Sequence, residues 1–206
     1  MKNFETEYKL DANTPGAFMR ARRFLQTLNL NAKPQLLQIK DTYLDHANRD
    51  LAAQKIALRV RNTDGKWETT FKTRTQIKQG KAVRQEETLP LPRVTNLKQA
   101  LQFLEQKKQW KQLNVRALQV QFAIANKRTV YGFNYDGEKL EMALDDVTLR
   151  VCGRQLKMKE IEIELKGKNV SALDRFVQQF VRATKLKRMQ ISKVKTAEKL
   201  LAMWKK

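Results

Sequence analysis

The alternation of apolar and polar positions predicts two runs of β-strands along the chain, because a period of two is typical of a strand with one buried face. The first run comprises residues 2–10, 35–44, 55–62, 66–73 and 82–90, and the second comprises residues 116–125, 127–135, 139–151 and 155–166. Asp64-Gly65 and Asp136-Gly137 are turn dipeptides that join consecutive strands as hairpins. We therefore expect an antiparallel sheet of eight or more strands, and a sheet of that size tends to curl or close.

Apolar positions at helical spacing predict four helices that can cover one face of this sheet. They begin at about Thr14, Asn96, Ser171 and Thr196, the second ends at about Leu113, and the last runs over about residues 196–206. Thr14 and Ser171 are the expected caps, and Asp174 is expected to satisfy part of the first turn of the third helix. No Pro/Gly-rich linker separates the two runs, so we expect one α+β domain over residues 1–206.

The charge of the chain limits its partners. Forty-two Lys and Arg residues against 21 Asp and Glu give a net charge of +21, which attracts polyanions such as nucleic acid, anionic membrane or phosphate-rich small molecules. No apolar run approaches the roughly 18 residues of a membrane span, and the first residues lack the apolar stretch of a secretory signal. With Cys152 as the only cysteine, no internal disulfide can form, and we expect a cytoplasmic location.

Carboxylates recur with a spacing of two at both ends of the chain. Glu5 and Glu7 precede Lys9 in the first predicted strand, and Glu160, Glu162 and Glu164 precede Lys166 in the last. Because side chains alternate across a strand, each set shares one face, with neighbours about 6–7 Å apart. Two carboxylates at that distance repel by about 0.6 kcal/mol in water and by about 2.5 kcal/mol at an effective dielectric of 20, so an enclosed face requires cations beside them.

The strands between carry mainly basic faces. Arg59 and Arg61 share one face of their strand, Lys72 and Arg84 each lie opposite an apolar neighbour, and Asp145 lies opposite Leu144. A sheet with one face on a core and the other in water explains any single strand. The combination favours helices on the outside of a curved sheet and charged faces that line a polar tunnel. There the acids of the first and last strands meet as a site for Mg²⁺ or Mn²⁺, and the cations hold an anionic substrate.

Several segments of the chain together resemble the sequence pattern of a known family. The segments ETEYK, TYLDHANRDLAAQKIALRVR, TFK, VRQEE, NKR, ALDD, EIEIELK and ISK follow in order the pattern of the CYTH domain, the triphosphate tunnel metalloenzymes. The resemblance covers about Phe4 to Lys195. It implies a closed eight-stranded antiparallel β-barrel, with helices packed outside, whose tunnel binds triphosphates with Mg²⁺ or Mn²⁺.

The resemblance also implies roles for individual residues. The metal-site acids are Glu5, Glu7, Asp145, Glu162 and Glu164, and of these Glu5, Glu7, Glu162 and Glu164 are the expected catalytic residues together with Lys9. The phosphate-binding cations are Lys9, Arg59, Arg61, Lys72, Arg84 and Arg128, and Lys193 resembles a basic residue that closes over the phosphates. The chain departs from the family pattern at Tyr43-Leu44-Asp45-His46 and at Arg84-Gln85-Glu86-Glu87, which leaves substrate preference open.

The expected function is metal-dependent hydrolysis of a terminal phosphate, with inorganic tripolyphosphate the simplest substrate. Adenylate cyclase, thiamine triphosphatase and RNA 5′-triphosphatase are alternatives on the same site, since ATP or thiamine triphosphate would occupy it similarly. A non-catalytic binder of nucleic acid or polyphosphate is the alternative from another class, and an enzyme can also bind polyanions on its outer surface. We expect His46 in a solvated loop or turn and Cys152 as a small buried or half-buried turn residue.

Overall fold

The computed structural model describes residues 3–30, 32–72, 76–78, 81–107 and 113–204, with side chains described for residues 6–30, 32–71, 87–107 and 113–204. The strands are β1 Asn3–Asp11, β2 Pro34–Asp45, β3 Ala57–Thr63, β4 Lys66–Lys72, β5 Gln76–Lys78, β6 Lys81–Pro90, β7 Gln119–Tyr135, β8 Glu138–Val151 and β9 Arg154–Leu165. The helices are α1 Ala17–Thr27, α2 Asp50–Ala53, α3 Leu97–Glu105, α4 Val170–Thr184 and α5 Lys193–Trp204.

All strand pairings are antiparallel, and they run in the order β1-β9-β8-β7-β2-β3-β4-β6-β5. The first strand also pairs with β6, over Asn3 to Tyr8. The predicted α+β class, with eight antiparallel strands and helices, is confirmed. The three-residue strand β5 and the one-turn helix α2 are additions that the sequence pattern did not predict.

Four helices pack on one face of the sheet, which we call the helix face. Helices α1 and α4 cover apolar side chains of β1, β7, β8 and β9, among them Leu10, Leu144 and Ile161, each at most 1% exposed. A second cluster places α2 and α3 over β2 and β3. Burial of this apolar surface at about 25 cal/mol per Å² is the main source of stability for the sheet.

The opposite face, which we call the charged face, carries the acids and cations that alternate with these apolar residues. At one end of β7 and β8 it becomes apolar and includes Phe122, Val147 and Leu149. Helix α5 packs there through Ala197 and Leu201, both nearly fully buried. This packing fixes the position of the first residue of α5 relative to the charged part of the same face.

Several predicted element ends differ from the structure. The second helix ends at Glu105 instead of Leu113, and residues 108–112 of that prediction lie outside the described residues. A 3-10 turn occupies Val115–Ala117, so β7 begins at Gln119 instead of residue 116. The structure assigns Gly16, at φ 71°, as the residue that caps α1, because a left-handed conformation suits glycine and Thr14 lies outside the helix.

The ends of α4 and α5 also differ from prediction. Asn169, rather than Ser171, caps α4, because its side-chain oxygen accepts from the Ser171 backbone N–H at 3.0 Å. Asp174 instead accepts from the Tyr8 hydroxyl at 2.9 Å and ties the helix to β1. Helix α5 begins at Lys193, three residues before the predicted start.

The exposure of two single residues differs from prediction. Cys152 is exposed, because it occupies the first position of the tight turn between β8 and β9, where its φ is 47°. His46 lies in the loop that follows β2, as predicted, but its ring is partly buried and hydrogen-bonded instead of solvated. None of the helices in the described part of the chain combines the length and hydropathy needed to cross a bilayer.

Candidate active site

Three carboxylates converge on the charged face where β8 and β9 pair. Asp145 and Glu160 are direct partners in the antiparallel ladder, and Glu162 is the next residue on the same face of β9. One carboxylate oxygen from each lies within 4.8 Å of the others. Asp145 and Glu160 are 0% exposed and Glu162 is 8% exposed, so three negative charges share a buried volume. Burial of like charges requires cations in contact with them.

Lys193 supplies the cation that contacts all three acids. Its Nζ donates to Asp145 Oδ2 at 2.8 Å, to Glu162 Oε1 at 3.1 Å and to Glu160 Oε1. Because Lys193 is the first residue of α5, the packing of that helix on the apolar end of the charged face directs the side chain into the acid cluster.

Arg128 and Lys9 complete the charge balance. Arg128 lies opposite Asp145 in the β7–β8 ladder and grips it with two hydrogen bonds of 2.6 Å, while its Nη2 also donates to Glu162. Lys9 lies opposite Glu162 in the β1–β9 ladder, donates to it, and has its Nζ 3.3 Å from Glu7. Glu162 is therefore the centre of the cluster, since it accepts from three different cations.

The surrounding charges separate the pKa values of the three acids. Burial raises the pKa of Glu162, but Lys193, Lys9 and Arg128 outweigh it and hold that pKa well below its ordinary value. Burial likewise raises the pKa of Asp145, and Lys193 and Arg128 reverse the shift, so the net direction is downward. Both carboxyls are therefore ionised at neutral pH.

Glu160 differs from its two neighbours. Its pKa is raised: burial is the largest cause, Lys193 and Lys9 oppose it, and the charges of Glu162 and Asp145 add to the increase. Among the described residues no group hydrogen-bonds its Oε2, although that atom is buried. A buried oxygen without a partner is costly, and a bound cation or a proton would satisfy it.

The cations respond in the expected direction. Burial lowers the pKa of Lys193, but Asp145, Glu160 and Glu162 raise it well above the ordinary value. Burial also lowers the pKa of Lys9, and the carboxylates, Glu162 first among them, reverse this shift. Both ammonium groups are therefore charged at neutral pH, and an ammonium can pair with phosphate oxygens as well as with carboxylates.

A second group of charges lies across the same face on β2, β3 and β4. Arg61 grips Asp41 with hydrogen bonds of 2.6 and 2.8 Å, and Asp41 is 3% exposed. Arg59 is also buried and donates to the Thr70 hydroxyl at 3.0 Å. Within the described ranges its Nε–H has no hydrogen-bond partner, so one guanidinium donor can still reach a ligand.

Glu7 and Glu164 lie at the edge of this arrangement. They are direct partners in the β1–β9 ladder, which confirms that the acidic first and last strands lie side by side. Glu164 contacts Lys166 at 2.7 Å, and Lys166 also lies 3.8 Å from Glu141 on β8. These acids form a row next to the Asp145–Glu160–Glu162 cluster, one step further along the strands.

Three predicted site residues lie outside the described side chains. Glu5, Lys72 and Arg84 are described only by their backbone, which pairs Glu5 with Arg84 and Lys72 with Glu86. The structure brings Glu7, Lys9, Asp145, Glu162, Arg128 and Lys193 into one contact network, and it places Arg59 and Arg61 together on the charged face of β3. The roles assigned to these residues stay predictions.

Sequence reasoning missed two acids at the site. Glu160 shares the face of Glu162 by simple alternation but was absent from the predicted metal ligands. Asp41 was not considered, because it belongs to the segment QIKDTYLD, in which apolar residues also alternate onto the charged face. The observation that places Asp41 at the site is the pairing of β2 with β3, which sets Asp41 opposite Arg61.

The donor set fits a hard divalent cation. Carboxylate oxygens are the ligands that Mg²⁺ and Mn²⁺ prefer, and Asp145, Glu160 and Glu162 each offer one within mutual reach. The unpartnered Oε2 of Glu160 gives a further oxygen in the same place. A cation that binds all three would compete with the ammonium of Lys193 for the same oxygens.

A second acidic group near His46 has a structural explanation. The carboxylate of Asp45 accepts from the backbone N–H groups of Leu51 and Ala52, both at 3.1 Å, and so fixes the start of α2. The ring of His46 bridges Asp50, at 2.7 Å, and the carbonyl of Leu113, at 2.6 Å. The hydrogen bond that His46 Nδ1 makes to the carboxylate of Asp50 is the main cause that raises the pKa of His46.

Comparisons with known proteins agree with this geometry. The sequence pattern of the CYTH domain family matches residues 3–200. An inorganic triphosphatase of Haemophilus influenzae is 32% identical over 149 residues, 70% of this chain and 40% of that protein. The chain thus spans well under half the length of that relative.

Solved structures share the fold at low sequence identity. A Hippeastrum protein, described as a candidate adenylyl cyclase with a dominant triphosphatase activity, has a TM-score of 0.70 at 19% identity, over 98% of this chain and 95% of that one. A protein of Pyrococcus horikoshii has a TM-score of 0.65 at 18% identity, over 95% and 99% of the two chains. Since the family pattern covers nearly every strand and helix described above, the chain belongs to the CYTH domain family.

Proposed function

We propose that the chain is a divalent-metal-dependent triphosphatase that hydrolyses inorganic tripolyphosphate to pyrophosphate and phosphate. One observation carries the proposal: three buried carboxylates converge on one face of the sheet with the buried cations Lys9 and Lys193 and the partly buried Arg128. A fold that needed only stability would gain little from this arrangement, because burial of charges costs more than apolar packing of the same volume. The Haemophilus influenzae relative carries the name inorganic triphosphatase.

We propose further that the charged face lines a closed eight-stranded tunnel. Two features support closure. Strand β1 pairs with β9 on one side and with β6 on the other. Residues such as Lys9 and Arg59 are only 5% exposed, although α5 is the only helix that packs on this face in the described part of the chain. The sheet itself therefore shields these side chains from water.

Asp145, Glu160 and Glu162 would hold Mg²⁺ or Mn²⁺ in this proposal, with Glu5, Glu7 and Glu164 as the predicted ligands from the neighbouring row. Such an ion, when bound, neutralises phosphate charge and lowers the pKa of a coordinated water. The residues of the chain supply the rest: they bind, orient and screen the substrate.

The cations of the charged face would position the triphosphate. Arg59 has an unused Nε–H donor, and Arg61 presents a planar guanidinium on the same face. Arg128 and Lys9 are held at the acid cluster itself, and Lys72 and Arg84 are predicted to join them. Because phosphoryl transfer depends mainly on positioning and charge neutralisation, a lining of this kind accounts for most of the catalysis required.

A substrate panel tests the proposed function. Purified protein is incubated with tripolyphosphate, ATP or thiamine triphosphate and Mg²⁺ or Mn²⁺, while phosphate and cyclic AMP are followed. We expect the highest kcat/KM with tripolyphosphate and no turnover in EDTA. Cyclic AMP formed from ATP without phosphate release would instead assign the chain to the adenylate cyclases.

Glu164→Gln tests the acidic row within that assay. We expect turnover to fall by at least about a hundredfold, since one charge near the reacting phosphate is worth several kcal/mol. Glu198→Gln is the matched control, because Glu198 pairs with Lys195 on the surface of α5, where the same substitution should leave turnover unchanged. A loss below about tenfold for Glu164→Gln contradicts its assignment.

A further inference from the structure

A second basic surface lies on the helix face, beyond the area that α1 and α4 cover. Two rows of side chains cross four adjacent strands there: Lys159, Asp146, Lys127 and Gln38 form one row, and Lys157, Thr148, Ala125 and Lys40 form the next. Together they line a recess of about 540 Å³, which we call the lysine recess. It is separate from the acid cluster, because its side chains project from the opposite face of the same strands.

The pattern along β8 and β9 explains where this surface begins. Leu144 and Ile161 are the last pair of direct partners in these two strands that the helices cover. The next residue on the same face of β8 is Asp146, and on β9 it is Lys159; both are exposed. The helices therefore cover the strands only as far as the row of Leu144 and Ile161. Beyond that row, lysine stands at positions that correspond to leucine or isoleucine in the covered part of the sheet.

The four lysines differ from the cations of the charged face in their pairing. Lys9, Arg128 and Lys193 each contact a carboxylate, so their charge is compensated within the protein. In the part of the chain that the structure describes, the ammonium groups of Lys40, Lys127, Lys157 and Lys159 form no ion pair. Asp146 is the only acid among the described residues that line the recess. The recess thus concentrates uncompensated positive charge.

We propose that the lysine recess binds the backbone of a linear inorganic polyphosphate chain, at a site distinct from the site of hydrolysis. Adjacent strands are about 4.8 Å apart, so Lys40 on β2 and Lys157 on β9 are separated by about 14 Å across three spacings. The two rows are about 6–7 Å apart along the strands. A chain of several phosphates can contact all four ammonium groups, whereas a single phosphate cannot.

The composition of the recess favours phosphate over nucleic acid. Proteins that hold single-stranded nucleic acid commonly combine cations with aromatic rings on which bases stack. Among the described residues that line the recess none is aromatic. The ring of Phe18, in α1, lies 5.6 Å from Lys159 Nζ, but it packs against the core and does not line the recess. Lysines alone act as point charges, which suits a ligand made only of phosphates.

A pair of charge-matched variants tests the proposal. The first replaces Lys40, Lys127, Lys157 and Lys159 with Gln. The second replaces Lys33, Lys66, Lys98 and Lys168, which are exposed elsewhere, so that both variants lose the same net charge. Binding of fluorescently labelled linear polyphosphate is measured in EDTA over a series of salt concentrations. Turnover of tripolyphosphate with Mg²⁺ is measured in parallel, and circular dichroism verifies that both variants fold.

We expect the recess variant to lose at least about thirtyfold in affinity at low salt and the control variant less than about threefold. Loss of four phosphate contacts should also reduce the slope of log K against log salt by about three. Tripolyphosphate kcat/KM should stay within about twofold of the unmodified protein in both variants, so a failure of the proposed hydrolysis would not be mistaken for a failure of this site. Equal losses in the two variants, or no loss in either, would overturn the proposal. Recess-dependent binding of an unstructured oligonucleotide that is as tight as polyphosphate binding would overturn the choice of ligand.

Discussion

Replacement of Lys193 by Met should convert the acid cluster from a self-neutralised network into a stronger cation site. The Nζ of Lys193 lies 2.8 Å from Asp145 and 3.1 Å from Glu162, and at an effective dielectric of 20 each attraction is about 5–6 kcal/mol before desolvation is subtracted. Removal of one partner of a buried ion pair typically costs 3–5 kcal/mol, because the other charge stays buried. For a domain of this size that cost lowers Tm by roughly 6–20 °C.

The assay is thermal unfolding in EDTA and across a series of Mn²⁺ concentrations. Lys193→Met should be less stable than the unmodified protein in EDTA, and Mn²⁺ should raise its Tm by more, since the cation no longer competes with an ammonium. A tenfold gain in affinity adds about 1.4 kcal/mol at saturating metal. Lys195→Met is the control on the same helix: its pair with Glu198 is exposed, so its loss should cost less than about 1 kcal/mol. Equal stability of Lys193→Met and the unmodified protein in EDTA, or equal gains with Mn²⁺, would refute the reasoning.

Three further predictions concern single contacts. Arg128→Lys should lower tripolyphosphate kcat/KM at least about tenfold, because lysine cannot reproduce the two parallel hydrogen bonds to Asp145. Steady-state kinetics of a correctly folded variant measures the loss, and an unchanged kcat/KM would contradict the prediction. Asp50→Asn should lower the pKa of His46, the only histidine, in an NMR titration. Since the pKa of His46 is raised in the folded state, its contact with Asp50 stabilises the fold below about pH 6.5, and this contribution is lost as the pH rises through the folded pKa. The variant should therefore lose more stability at pH 5.5 than at pH 8.5. Asn169→Ala should lower the unfolding free energy by about 1 kcal/mol through loss of the α4 cap, which urea unfolding measures, and a change near zero would mean that water replaces the cap.

Alternation along single strands predicted most of the charged face correctly. It placed Glu162 and Asp145 opposite the apolar side chains Ile161 and Leu144, and the structure buries those two side chains under helices. It also indicated that the first and last long strands are neighbours, as the pairing of Glu7 with Glu164 confirms. A period-two pattern follows from the geometry of a single strand, so it does not depend on the tertiary contacts of the rest of the chain.

Features that depend on distant partners were harder to predict. The contact of Lys193 with the acids requires α5 to pack at one end of β7 and β8, and nothing near Lys193 in the sequence specifies that packing. The first residues of α1 and α4 were misassigned because several adjacent residues can cap a helix and tertiary contacts choose among them, as the bond from Tyr8 to Asp174 shows. The position of Asp41 on the charged face follows only from its pairing with Arg61 in the β2–β3 ladder.

The packing of α5 on the apolar end of the charged face affects the way in which the protein would process long substrates. Because Ala197 and Leu201 pack on one end of the charged face, α5 occupies that end of the proposed tunnel. We expect a long phosphate chain to enter the proposed tunnel from the end opposite α5, so that cleavage takes place at the chain termini.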